Sequence, residues 1–363
     1  VGETELTNTV GLSGRVVSVD VDGNVSDVIN GLPSYTTSES RSDGLYRVIP
    51  EGDSLWLIFS GSGKVTTGTY WRNSIVEISA TTLATRRVIN LDEFETVNDP
   101  DGNGFDTNVA DIAWDSNGVM YIVDAAGNDL LSWTEADGLQ VVTAWSDNPV
   151  PTAIEIADND DMYISFLGEG MAPDAAFVER CSGGELVETL AGLTAVTDIL
   201  LDGDDLYAVE FVSFIEDEAG PGRVVKVTTD DIIPVVDNLI APFAIAKGTD
   251  NALYITYSAV AFVPELPGGV TRVELSGSQM SVPDAETGTD TTVLIAGDVE
   301  QGREIFRSGV DEAQRCANCH RVTTRGFAVD AGPNLEGIAT IAIDRVEGMS
   351  AEEYLYQSIV DPL

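Results

Sequence analysis

Over the first 280 residues, apolar and polar positions alternate in short runs, and clusters of Asp, Asn and Gly separate one run from the next. That period of two, bounded by turn residues, predicts strands. One unit recurs: a polar turn, two large apolar or aromatic residues, then alternating apolar positions. It reads EGDSLWLIF ending at Phe59, SNGVMYIVD ending at Asp124 and NDDMYIS ending at Ser165, and returns as DGDDLYAVE ending at Glu210 and TDNALYITY ending at Tyr257. The aromatic marks Trp56, Tyr121, Tyr163, Tyr207 and Tyr254 are spaced by 65, 42, 44 and 47 residues. A second signature follows, a G-x-V-x-x-V type strand, a turn and another strand, as in 176–193 and 222–239. A further copy at 14–32 precedes Trp56.

Units of ~40–50 residues holding four strands each indicate the blades of a β-propeller. A single blade cannot bury both faces, so the aromatic marks are expected to pack between neighbouring blades. Five full copies plus the N-terminal hairpin predict six blades with the first degenerate, five being the alternative. In a closed ring the N-terminal strands would complete a blade with the last strands, near GGVTRVELSG (268–277) or TTVLIAG (291–297). The predicted organisation is multidomain: an all-β propeller at 1–280, a linker or closing strand at 281–296, and a small all-α domain at 297–363. The Pro and acidic residues of SVPDAETGTD (281–290) mark the linker.

The stretches NDPDGNGFDTNVADIAWDSNGVMYIVDAAGNDLLSW (98–133) and PTAIEIADNDDMYISFLG (151–168), with the later Leu-Tyr blades, resemble the ScyD/ScyE family of propeller proteins. The resemblance covers roughly residues 10–277 and implies a secreted propeller. The chain departs from that pattern in its weakened first blade and its additional C-terminal domain.

The motif that carries chemistry is Cys316-Ala-Asn-Cys319-His320. C-x-x-C-H is the attachment signature of haem c: two thiols three residues apart reach the two vinyl groups on one edge of the macrocycle, and the adjacent imidazole binds iron through Nε2. Zinc is the chemical rival, but it needs a fourth Cys or His ligand. His320 is the chain's only histidine, and the third cysteine, Cys181, lies in the other domain. Around the motif, GDVEQGREIFRSGVDEAQRCANCH (297–320), GPNLEGIA (332–339) and SAEEYLYQSIVDP (350–362) resemble the class I cytochrome c family. That resemblance implies an N-terminal helix bearing Gly302 and Phe306, packed on a C-terminal helix bearing Tyr354 and Ile359. It also implies that the Pro333 carbonyl accepts a hydrogen bond from Nδ1 of His320, fixing the ring's orientation. The family's distal methionine follows the S-I-x-x-P segment, here 358–362. Met349 is the one methionine in this domain, and the sixth ligand stays open between Met349, a group beyond Leu363, a group from another chain, and an open iron.

Charge narrows the partners. Sixty-one acids against 18 bases give a net charge of −43, which repels nucleic acid and anionic lipid and keeps the protein soluble. No apolar run approaches the ~20 residues needed to span a bilayer. From Gly297 onward there are twelve acids and six arginines, a net of −6, so the first 296 residues carry −37. The expected partner is a redox protein, with self-association through the acidic propeller as a further expectation. Within DPDGNGFD (99–106), Asp99, Asp101 and Asn103 with Gly104 look like the first half of a calcium loop, although the twelfth position is Ala110 rather than an acid. Asp20, Asp22 and Asn24 make a weaker version. Cys181 is expected to be buried and inert.

The function expected is electron transfer by a monohaem c-type cytochrome, with the propeller as docking or assembly scaffold. The alternatives are a haem-linked propeller dehydrogenase and a ligand-binding haem protein with an open distal site. The first is disfavoured because general-base work usually falls to His, and the sole His is committed to iron. Haem c attachment takes place outside the cytoplasm, so a periplasmic or extracellular location is expected. A sequence opening at Val1, with no basic, apolar export signal ahead of it, fits a processed form.

Overall fold

The alternating runs fold as antiparallel strands, and the polar turn of each repeat closes the hairpin between a blade's first two strands. At 115–118 the Asp115 carboxylate accepts from the N–H groups of Asn117 (3.0 Å) and Val119 (2.8 Å), while Gly118 takes the left-handed φ of +80° that the turn requires. The computed structural model describes residues 9–21, 23–36, 42–61, 71–215, 218–257 and 268–275, together with Phe306, Leu335, Ile338 and Leu355. The chain divides into two compact units, Val1–Ser281 and Val282–Leu363. No helix among the described residues is long and apolar enough to cross a membrane.

Five blades follow one another. The first contains β3 (Ser42–Glu51), β4 (Ser54–Ser60), β5 (Ser74–Ser79) and β6 (Thr85–Asn90), preceded by a hairpin of β1 (Thr9–Val19) and β2 (Val25–Thr36). Helix α1 (Asp92–Asn98) and a loop then lead to the second blade, β7 (Val109–Trp114), β8 (Met120–Asp124), β9 (Asp129–Thr134) and β10 (Gly138–Ala144). This insertion accounts for the long first interval between aromatic marks. The third blade is β11 (Pro151–Ile156), β12 (Met162–Phe166), β13 (Ala176–Ser182) and β14 (Glu185–Leu193). The fourth is β15 (Val196–Asp202), β16 (Asp205–Glu210), β19 (Gly222–Val227) and β20 (Ile232–Leu239), with the small hairpin β17 (Ser213–Ile215) and β18 (Glu218–Gly220) set into it. The fifth shows three strands, β21 (Pro242–Lys247), β22 (Ala252–Tyr257) and β23 (Gly269–Glu274).

The expectation of six blades is corrected to five. The N-terminal hairpin is hydrogen-bonded into the first blade's sheet, where Ser34, Tyr35 and Thr36 pair with Gly44, Asp43 and Ser42. Val16 and Leu32 of the hairpin pack on Leu57, Phe59, Val76 and Ile78, so it covers a face of that blade instead of founding its own. Of the two expected closing segments, 291–297 lies outside the described residues, and at 268–277 β23 pairs, among the described residues, with β22 alone.

The core is a series of apolar seams between blades. Trp56, Ile58 and Ile75 meet Val109, Ile112 and Met120 between blades one and two, and Ala110 and Val123 meet Ile154 and Phe166 between two and three. Equivalent seams join blades three to four and four to five. The aromatic marks lie in them as expected: Trp56 packs on Trp114 at 5.3 Å, and Tyr121, Tyr163 and Tyr207 each line the seam to the following blade. Tyr254 instead donates its hydroxyl to Asp250 at 3.1 Å.

Candidate functional site

The expected haem site lies outside the described residues: Cys316, Cys319, His320, Pro333 and Met349 all do. Nearby, Phe306, Ile338 and Leu355 have helical backbone, and the Ile338 N–H donates to the Leu335 carbonyl at 3.0 Å. The donor set of two thiols and the chain's single imidazole fits haem c, because no further Cys or His exists within that unit to complete a zinc site.

Within the propeller, the first strands of the blades converge on a polar hub. Arg47 of β3 reaches Asp198 of β15 at 2.9 Å and Asp111 of β7 at 3.3 Å, all three through one guanidinium nitrogen, Nη1, and the carboxylates. Asp111 also accepts from the Ile154 N–H of β11 at 3.1 Å, and Asp198 from the Ile245 N–H of β21 at 2.8 Å. All five blades therefore touch one ion triad. The carboxylates are almost fully buried, at 7% and 1% side-chain exposure, and Arg47 keeps 15%. Burial pushes Asp111 up to about 6 and Asp198 in the same direction, against the opposing pull of Arg47. Nη2 of Arg47 is buried without a hydrogen-bond partner. Tyr46, next in sequence, stacks edge-on against Phe243 of the fifth blade at 5.4 Å.

Glu155 of β11 connects this hub to a cleft of 510 Å³ between blades three and four, lined also by Asp161, Tyr163, Arg180, Leu201 and Asp204. Burial, then the charges of Asp111 and Asp198, push Glu155 up to about 8. Arg180 forks onto Asp161 through Nε at 3.1 Å and Nη2 at 2.8 Å, fixing one wall. The cleft thus presents a carboxyl that changes protonation near neutral pH beside a rigid cation.

The loop singled out for calcium has a different internal geometry from the one expected. Asn103 donates its backbone N–H and its amide to the two oxygens of Asp101, each at 2.9 Å, and so serves as a brace for that carboxylate. Asp99 caps the end of α1 in the left-handed region and accepts from the Gly104 N–H at 3.0 Å. The carboxylates that converge are Glu95, Asp99 and Asp101, whose ligand atoms all lie within 4.8 Å of one another. In the weaker candidate, Asp20 accepts from the backbone and amide of Asn24, and Asp22 lies outside the described residues. Cys181 is half-buried on β13, and burial followed by the Glu179 charge raises its pKa, which disfavours the thiolate.

No family model matches the chain, and no curated protein matches its sequence. The fold is a five-bladed β-propeller. Solved structures similar to it include virginiamycin B lyase from Staphylococcus aureus, at 12% identity over 75% of this chain and 89% of that one, with a TM-score of 0.43. A luciferin-regenerating enzyme is similar at 12% identity over 75% and 96%, TM-score 0.45. A nidogen/laminin complex is similar at 13% identity over 69% and 84%, TM-score 0.45. Likenesses this distant transfer no activity, and the propeller stands on the sheet order described above.

Sequence reasoning missed the hub and Glu155. A signal was present: TNVADIAWD (107–115) and TAVTDILLD (194–202) both place an acid directly before the Ile of an inner strand, where the pattern calls for an apolar or small residue. Glu95 and Asp129 were missed because nothing in the sequence sets either apart: Glu95 follows Asp92 and Glu93 on one short helix, and Asp129 is one acid among 61.

Proposed function

We propose that the protein is an extracytoplasmic monohaem c-type cytochrome that passes electrons to or from a partner protein, with the propeller as docking or assembly scaffold. The observation that carries this is Cys316-Ala-Asn-Cys319-His320 in a segment that resembles class I cytochromes c. Cys316 and Cys319 would hold the haem through thioether links and His320 would be its proximal ligand, while the group itself supplies one-electron chemistry. The propeller's excess of acids favours a basic partner face, and steering of that kind weakens with salt.

The test is expression in a host able to attach haem c, followed by haem staining of the denatured chain and an optical spectrum with and without carbon monoxide. A covalent haem that does not bind carbon monoxide fits a six-coordinate carrier. Covalent haem that binds carbon monoxide moves the reading to ligand binding at an open iron, and an unstained chain overturns the proposal. Light scattering across a salt series separates partner docking from self-association, which predicts a mass that falls toward monomer as salt rises.

A second reading, a haem-linked dehydrogenase, is favoured by one feature. Glu155 lies in a cleft and titrates near neutral pH, as a general base must. Turnover of alcohols or sugars with an artificial acceptor, abolished in Glu155→Gln, would establish it; no turnover by the wild-type chain discards it.

A further inference from the structure

The insertion between the first two blades brings together three carboxylates, Glu95, Asp99 and Asp101, that no ion pair among the described residues engages. Glu95 projects from α1 and is 2% exposed, and its Oε1 has no hydrogen-bond partner. Asp129, at the start of β9, is fully buried, and neither of its carboxylate oxygens has a partner. It stands in register across from Asp124, which is also buried. Asp124 is saturated: it accepts from the Thr107 hydroxyl and from the N–H groups of Asn108, Ala126 and Gly127. Among the described residues, no ion pair engages Glu95, Asp99, Asp101 or Asp129; the nearest bridge on α1 joins Arg72 to Asp92.

An orphaned buried carboxylate costs several kcal/mol unless a proton or a cation joins it. One orphan, Glu95, converging with two further acids makes a cation the better solution. Oxygens bound to one Ca²⁺ at about 2.4 Å can be no more than about 4.8 Å apart, and the ligand oxygens of Glu95, Asp99 and Asp101 lie within that limit. Asp101 is held in place by Asn103, and Asp99 by Gly104, so the loop is pre-set rather than collapsed. Asp129 lies close enough to feel the charges of Glu95 and Asp101, and burial with those neighbours pushes it up to about 9.

We infer that Glu95, Asp99 and Asp101 form a calcium site that ties the end of α1 to the loop that follows it. The all-oxygen, irregular ligand set suits Ca²⁺ over Mg²⁺, which demands near-octahedral geometry and keeps its water. The inference is independent of the haem reading, since every ligand belongs to the propeller.

The test uses the full chain, stripped with EGTA, in calorimetric titration with CaCl₂ and in thermal unfolding with and without about 1 mM Ca²⁺, the range of extracellular sites. The expected result is one saturable event and a raised melting temperature, unaffected by an equal concentration of Mg²⁺. Asp101→Asn, at a partly exposed position, should weaken binding tenfold or more. Glu95→Gln should abolish the calcium response while melting higher than wild type in EGTA, because it removes a buried carboxyl group whose Oε1 has no partner. That crossover distinguishes a ligand from a residue of merely structural value. No calcium-dependent shift in the wild type, or equal shifts in wild type and both variants, overturns the inference; the second outcome would mean diffuse binding to the acidic surface.

Discussion

Replacing Arg47 by methionine isolates the contribution of the hub. Methionine keeps most of the side chain's length and apolar stem, so packing changes little, while the one cation that pairs with Asp111 and Asp198 among the described residues is removed. Both carboxylates are already raised by burial, and Arg47 is the influence that lowers them. Taking one partner from a buried ion pair costs about 3–5 kcal/mol, because the charge left behind is uncompensated. The variant's deficit must also depend on pH. Without Arg47 the two aspartates move further above the unfolded value of about 3.9. Groups raised in the folded state contribute stability that is complete below the unfolded pKa and is lost as pH rises through the folded one. The deficit relative to wild type is therefore greatest at mildly alkaline pH and shrinks on acidification through the region of about 6 and above, where Asp111 and Asp198 take up protons. Urea unfolding followed by tryptophan fluorescence at several pH values reads this directly. Adding Asp198→Asn to the variant should recover part of the loss. A deficit under about 1 kcal/mol, or one independent of pH, would refute the view of the triad as an ionic clamp held by Arg47.

Trp56→Ala opens the seam between the first two blades where Trp56 meets Trp114, and should cost about 3–5 kcal/mol in chemical denaturation. Glu155→Gln removes a group raised to about 8, whose stabilising contribution is complete below its unfolded value and lost as pH rises through about 8. The variant should therefore gain melting temperature relative to wild type at alkaline pH and not in mild acid, and a pH-independent difference contradicts the assignment. His320→Ala should change the haem's optical spectrum by removing its proximal ligand, whereas Cys316→Ala and Cys319→Ala together should lose the covalent haem stain. Alkylation of Cys181 should be slow in the native chain and fast in urea, since the thiol is half-buried and its pKa raised.

The propeller was legible because its local signals agree with its packing: the polar turn, the aromatic that enters the next seam and the period of two all point to one blade. The count failed by one for a local reason. GRVVSVDVDGNVSDVINGL (14–32) has a blade's half-signature, yet Ser34–Thr36 pair with the strand that follows, a registration between segments that composition does not encode. The hub was illegible for a different reason. Arg47, Asp111 and Asp198 acquire meaning only when blades one, two and four are brought to one axis. The acidic pocket fell between these cases: Asp99 and Asp101 were visible as a local motif, whereas Glu95 joins them only because α1 turns its carboxylate toward the loop.

The bond between Arg47 and Asp198 spans 151 positions of the chain. Contacts that distant close large loops and carry the entropy of doing so before they return any energy. During synthesis the first three blades can form their seams while Arg47 holds only one of its two aspartates, and the second arrives with the fourth blade. The hub is then completed late: a chain that ends before residue 198 leaves Arg47 with Asp111 alone, and only one extended past Ile245 supplies Asp198 together with the N–H group that it accepts from. Local hairpins set how fast each blade appears, but the axis decides when the set becomes a single cooperative body.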